Sequence, residues 1–198
     1  MKIWKLFFLV MAVTLVNGCA NSSALIRASS TSIRTDVFQE LANGEIVPPG
    51  HADLRIAFSL KTHRPGVYSA RDIHGTPDYR LLLNIDGQAI QLPGSLREEN
   101  IEPRGLQDPE AGDGIRYRFT SRLRLRAGTH RVVIAMPADD IAEERVITLP
   151  EGSSNSLVLE PVYRTAPGKL RPGRGLSGGT TYSEGLRGFR MVLNGKPI

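Results

Sequence analysis

Hydrophobic and polar residues alternate with a period of two along much of this chain. Leu54, Ile56, Phe58 and Leu60 are interleaved with Arg55, Ala57, Ser59 and Lys61. Tyr117, Phe119, Ser121, Leu123 and Leu125 are interleaved with Arg116, Arg118, Thr120, Arg122 and Arg124. Successive strand side chains point to opposite faces, so each stretch predicts a strand with one dry and one wet face. The arginine set belongs in water. Arg80 to Ile85 is a more continuous apolar run, closed by Asp86-Gly87, and Gln88 to Leu92 returns from that hairpin signal. His130 to Met136, Arg145 to Leu149 and Leu157 to Tyr163 complete the set, with a Gly-Ser-Ser-Asn turn over 152–155. Short strands punctuated by Gly, Pro and Asn, with little helical periodicity, predict an all-β fold, an antiparallel β-sandwich over residues 51–163.

The pattern lapses in four places. Residues 19–50 read as a flexible tether, because Asn21-Ser22-Ser23 and Ser29-Ser30-Thr31-Ser32 have little to bury. Within it, Asp36 to Leu41 has a helix-capping pattern, with Gln39 three residues after Asp36. Thr62 to Asp78 and Pro93 to Gly114 read as long irregular loops. Residues 164–198 form a basic, Gly-rich extension. It ends in a strand-like stretch, Gly188 to Gly195, which is expected to dock in the same sandwich.

The first residues are different in kind. Met1 to Lys5 is short and positive, Leu6 to Val16 is apolar apart from Thr14, and Gly18-Cys19 closes the run. This order reads as a secretion signal over 1–18, too short for a membrane span. It resembles the lipobox of bacterial lipoproteins. That resemblance implies a covalent lipid on Cys19, the sole cysteine, and cleavage just before it. Ala20 in the next position implies the outer membrane, with the body facing the periplasm. Loss of the thiol to lipid would remove disulfides, cysteine catalysis and cysteine-ligated zinc.

The net charge of +5 hides an asymmetry. Residues 19–163 carry 16 Arg/Lys against 19 Asp/Glu, whereas 164–198 carry seven basic residues and the single acid Glu184. Such a tail suits an anionic lipid, an acidic glycan or an acidic envelope protein, with Arg171 and Arg174 as the contact candidates. Export argues against nucleic acid.

Leu83-Asn84-Ile85-Asp86-Gly87, the turn Leu125 to Ile134, and Arg145 to Tyr163 together resemble the PEGA-type β-sandwich modules of bacterial envelope proteins. The generic form of these motifs fits immunoglobulin-like sandwiches as well. The acidic insertion between the first two pieces departs from the pattern. The resemblance implies a non-enzymatic interaction or structural module and carries no catalytic residues.

The residues themselves offer little catalytic chemistry. No zinc motif, phosphate loop or nucleophile elbow is present, and neither an enzyme nor a dissociable cofactor is expected. His63 and His74 share one irregular segment and could meet, although two solvated loop histidines are the simpler expectation. His130 is expected to face out or to cap the turn after Gly128. Asp108, Glu110 and Asp113 are candidate calcium ligands, weighed against a solvated acidic loop. A carbohydrate- or peptidoglycan-binding surface, the alternative function, would use exposed aromatics, with Tyr68 and Tyr79 as candidates, although core or edge packing is the simpler expectation for both. A hydrolase built from the long loops comes third.

Overall fold

The computed structural model describes residues 19–41, 46–65, 70–101, 110–164 and 185–198. Among these the chain is mostly β, with two sheets and one short helix. The helix is α1 (Cys19–Ser29). The strands are β1 (Phe38–Glu40), β2 (His51–Thr62), β3 (Arg80–Ile85), β4 (Gln88–Pro93), β5 (Ser95–Ile101), β6 (Gly112–Arg126), β7 (Gly128–Met136), β8 (Ile141–Leu149), β9 (Ser154–Tyr163), β10 (Leu186–Leu193) and β11 (Lys196–Pro197).

The larger sheet runs β1-β6-β2-β9-β10-β11, and β5 also pairs with β6. β6 is long enough for two short partners to share one edge: β1 pairs with its Leu123–Leu125 end and β5 with its Gly112–Arg118 end. The smaller sheet runs β4-β3-β7-β8. All pairings but one are antiparallel; β2 and β9 run parallel, a departure from the expected purely antiparallel arrangement. The final strand-like stretch does dock, as β10 between β9 and β11.

The alternating residues of both sheets meet in one core. Leu54, Ile56, Phe58 and Leu60 of β2 and Tyr117, Phe119, Leu123 and Leu125 of β6 share it with Leu81, Leu83 and Ile85 of β3 and Val132, Ile134 and Met136 of β7. On the opposite face of β6, Arg118 and Arg122 are exposed as expected, and so is Arg126. Arg116 and Arg124 are not, because each is drawn down into ion pairs, with Glu99 and Glu110 and with Asp53 respectively.

The tether expectation fails over residues 19–41. α1 lies against β8, the Ser29 carbonyl accepts a hydrogen bond from Asn84 Nδ2 (3.0 Å), and Ser23 Oγ donates to Asp140 (2.6 Å). Leu82, Asn84, Val133 and Ala135, which alternate with the core-facing set, are also buried. β3 therefore reads as a continuous apolar run because both of its faces are covered. Beyond α1, the chain is laced to the β3–β4 turn: Ile33 N and Arg34 N donate to Gly87 O, and Val37 N and Phe38 N to Gln88 Oε1. Asp86 and Gly87 both have positive φ, as a two-residue type I′ turn requires. A Cβ on Gly87 would also lie 2.7 Å from the Ile33 side chain. Phe38–Glu40, expected within a helix, is instead strand β1 on the edge of β6, where pairing with the ladder outweighs a weak capping pattern.

Candidate functional site

The loop between β2 and β3 gathers the densest set of chemically capable side chains among the described residues. His63 follows β2 directly, and Asp72 and His74 lie further along the loop. Gly75 makes their meeting possible. Its φ of +76° is one that glycine adopts without strain, and a Cβ there would sit 2.6 Å from Pro65 Cδ and 3.0 Å from His63 O. The loop thus folds back onto the end of β2. Thr76 N closes the turn on Ile73 O, and Tyr117 of β6 pins it by donating to Thr76 O (2.7 Å).

Asp72 bridges the two histidines. Its Oδ2 lies 2.5 Å from His63 Nε2 and its Oδ1 lies 2.6 Å from His74 Nδ1. The other face of His74 is held too, with Nε2 3.2 Å from Asp139 Oδ1, while Tyr79 donates to Asp139 Oδ2 (2.6 Å). Asp139 belongs to the short 3-10 turn Pro137–Asp139 between β7 and β8, so the cluster ties the loop to the smaller sheet. The His63 and His74 rings are 4.9 Å apart, and the same spacing separates His74 from Tyr79 and Tyr79 from Tyr117. Ligand atoms of His63, Asp72 and His74 all lie within 4.8 Å of one another.

These groups are close to buried, with side-chain exposures of 9% for His63, 11% for Asp72, 20% for His74 and 9% for Asp139. Two solvated loop histidines are therefore not what this chain has. Burial works to raise the Asp72 pKa, but the hydrogen bonds from His74 and His63 outweigh it and hold the carboxyl at about 2. Burial pulls His74 down, yet its bonds to Asp139 and Asp72 leave it raised.

Tyr79, a sugar-stacking candidate for which core or edge packing is the simpler expectation, is fully buried and belongs to the core. Its ring packs while its hydroxyl holds Asp139. Tyr68, Asp108, Arg171 and Arg174 lie outside the described residues. Of the calcium candidates, Glu110 is engaged by Arg116 through both oxygens (2.8 and 2.6 Å) and by the Tyr163 hydroxyl (2.6 Å), and Asp113 pairs with Arg64 (2.8 Å). Cations of the chain itself take the place of calcium at both. Beneath them Lys61, almost fully buried, donates to the carbonyls of Glu110 and Gly112. Its burial pulls its pKa down, against the raising effect of Glu99, Glu110 and Asp113. His130 also turns inward: its ring nitrogens meet Asp86 Oδ2 (2.7 Å) and Arg126 O (2.8 Å), which braces the hairpin against β7.

Sequence reasoning placed His63 and His74 in one loop but had no signal for Asp72 or Asp139. The Asp-x-His-Gly spacing from 72 to 75 becomes informative only once the Gly75 turn is seen. No family model, curated protein or solved structure matches the chain.

Proposed function

We propose that this chain is a lipid-anchored protein of a bacterial envelope, held by acyl chains on Cys19. Its body, an immunoglobulin-like or PEGA-like sandwich, works through surface contacts rather than catalysis. The observation that supports it best is the docking of α1. The helix begins at Cys19 and is joined to the smaller sheet through Ser29–Asn84 and Ser23–Asp140. A lipid on Cys19 would then hold the whole body against the bilayer at a defined angle, instead of on a loose lead. No helix among the described residues is long and apolar enough to cross a membrane, so acyl chains would supply the attachment, at about 0.8 kcal/mol per buried methylene. Partners would be an envelope protein, an anionic lipid or a glycan. With Tyr79 buried, the sugar-stacking alternative loses one of its two candidates.

The test is metabolic labelling with an alkyne-tagged palmitate in cells expressing the full chain or Cys19→Ser. Label on the wild type in the membrane fraction, and none on the variant, is the expected result. Equal labelling of both, or a wild type that fractionates with soluble proteins, would overturn the reading.

A further inference from the structure

We infer that His63, Asp72 and His74 form a binding site for a divalent transition metal ion, with zinc as the occupant their donors suit. Two imidazole nitrogens and one carboxylate oxygen make a donor set favoured by zinc and its neighbours. Calcium or magnesium would ask for six or more oxygens. Three protein ligands leave at least one position for water, the composition of an open zinc site.

The geometry is close to what an ion needs. Zinc holds nitrogen and oxygen at roughly 2.0–2.2 Å, so donors sharing one ion tetrahedrally lie about 3.3 Å apart. Asp72 now meets each histidine with a different oxygen, Oδ2 at 2.5 Å from His63 Nε2 and Oδ1 at 2.6 Å from His74 Nδ1. One donor atom from each of the three residues already lies within 4.8 Å of the others, so an ion takes the place of the bridging protons when the short contacts open and the longer spacings close toward about 3.3 Å. Those protons leave to solvent as the two nitrogens and the carboxylate oxygen form coordinate bonds to the ion, and no oxidation state changes.

The surroundings favour the exchange. A coordinating histidine typically gives its other ring N–H to a carboxylate, which fixes its tautomer. His74 Nε2 faces Asp139 Oδ1, and Asp139 is itself fixed by the Tyr79 hydroxyl. With the Nε2 proton directed at Asp139, the Nδ1 lone pair of a neutral ring points at the Asp72 carboxylate. The proton that now joins Nδ1 to Asp72 is the one an ion would replace. Asp72 and Asp139, each about nine-tenths buried at the side chain, add negative charge that a dication would neutralise. Gly75 and the Tyr117–Thr76 bond hold the loop in place before any ion arrives. The inference does not depend on the lipid anchor.

The full chain, purified in detergent and stripped with chelator, would be titrated with zinc at pH 7.5 by calorimetry. One equivalent should bind, and the melting temperature should rise with zinc. His63→Gln and His74→Gln should each weaken binding by at least about tenfold. Asp139→Asn, which only orients His74, should weaken it by roughly tenfold as well. His51→Gln, at a site remote in sequence and bonded to Pro49 O, should bind as the wild type does. Cobalt added to the wild type guards against variants that fail to fold: visible bands of a low-symmetry nitrogen–oxygen site are expected. No zinc heat, undiminished affinity in both histidine variants, or a cobalt spectrum identical to the aqueous ion would each overturn the proposal and leave a hydrogen-bonded latch.

Discussion

Glu110 shows how single residues here are fixed by partners far away in sequence. Burial acts to raise its pKa, but hydrogen bonds from Arg116 and Tyr163, with the charges of Arg116 and Lys61, outweigh that and lower it. A carboxyl lowered on folding contributes stability that is present above its unfolded value, near 4.5, and is lost as pH falls through the folded value. The wild type should therefore lose urea resistance between about pH 5 and the lower folded value. Glu110→Gln, which has no such carboxyl to protonate, should start less stable at pH 7 and show a shallower decline over that interval. Parallel declines in the two proteins would mean that the Arg116 pairing contributes nothing net. The arginine stripe is half legible in the sequence because some of its partners lie far away along the chain. Alternation correctly put Arg118 and Arg122 in water. That Arg116 and Arg124 would be gathered by Glu99, Glu110 and Asp53 depends on neighbours across the sheet, which a one-dimensional pattern does not contain.

At the scale of elements, legibility followed amphipathic contrast. β2, β3, β6, β7, β8 and β9 are expected because a dry face alternates with a wet one or both faces are dry, β4 from the Asp86-Gly87 hairpin signal, and β10 from its strand-like stretch. β5 was hidden: Ser-Leu-Arg-Glu-Glu-Asn-Ile lies on an edge with most positions exposed, so no hydrophobic period marks it. α1 was hidden for a related reason. Its polar sequence has no strong apolar stripe, and its place comes from docking on the smaller sheet. The His63–Asp72–His74 site was out of reach because it depends on the path of a loop that strand periodicity does not describe. The docking of α1 turns on Asn84, whose Nδ2 holds Ser29 O while its Oδ1 accepts from Gly87 N (2.9 Å). Asn84→Ala should cost about 2 kcal/mol, the loss of two largely buried hydrogen bonds. Hydrogen exchange separates local from global effects. Amides of α1 and of residues 30–38 should exchange much faster, while β2 and β6 amides should change only as the overall stability changes. Unaltered α1 protection would mean that packing on β8 alone holds the helix.

For the whole molecule, the two outer faces have opposite characters. α1 occupies the outer face of the smaller sheet, the side that carries Asn84. On the far side of the shared core, the larger sheet presents Arg55, Arg118 and Arg122, all exposed. Arg55 and Arg122 stand directly opposite each other across β2 and β6, a like-charge pairing that disfavours the bare sheet and that an anionic partner would relieve. If Cys19 is lipidated, the helix side is held at the headgroups and this basic face looks away from the anchoring leaflet. Its attraction would then be for a partner within the envelope and not for the bilayer that holds the protein, because charges separated by more than about 8 Å are largely screened at physiological salt. Single reporters placed through Ala24→Cys on α1 and Ser59→Cys on β2, both exposed positions, would measure this in vesicles. With a quencher attached to the headgroups, strong quenching at position 24 and little at 59 is expected. Replacing Arg55, Arg118 and Arg122 with glutamine should leave vesicle binding unchanged. Equal quenching at the two positions would mean that the helix does not set the body's orientation, and weaker binding by the triple variant would place the arginine face on the membrane.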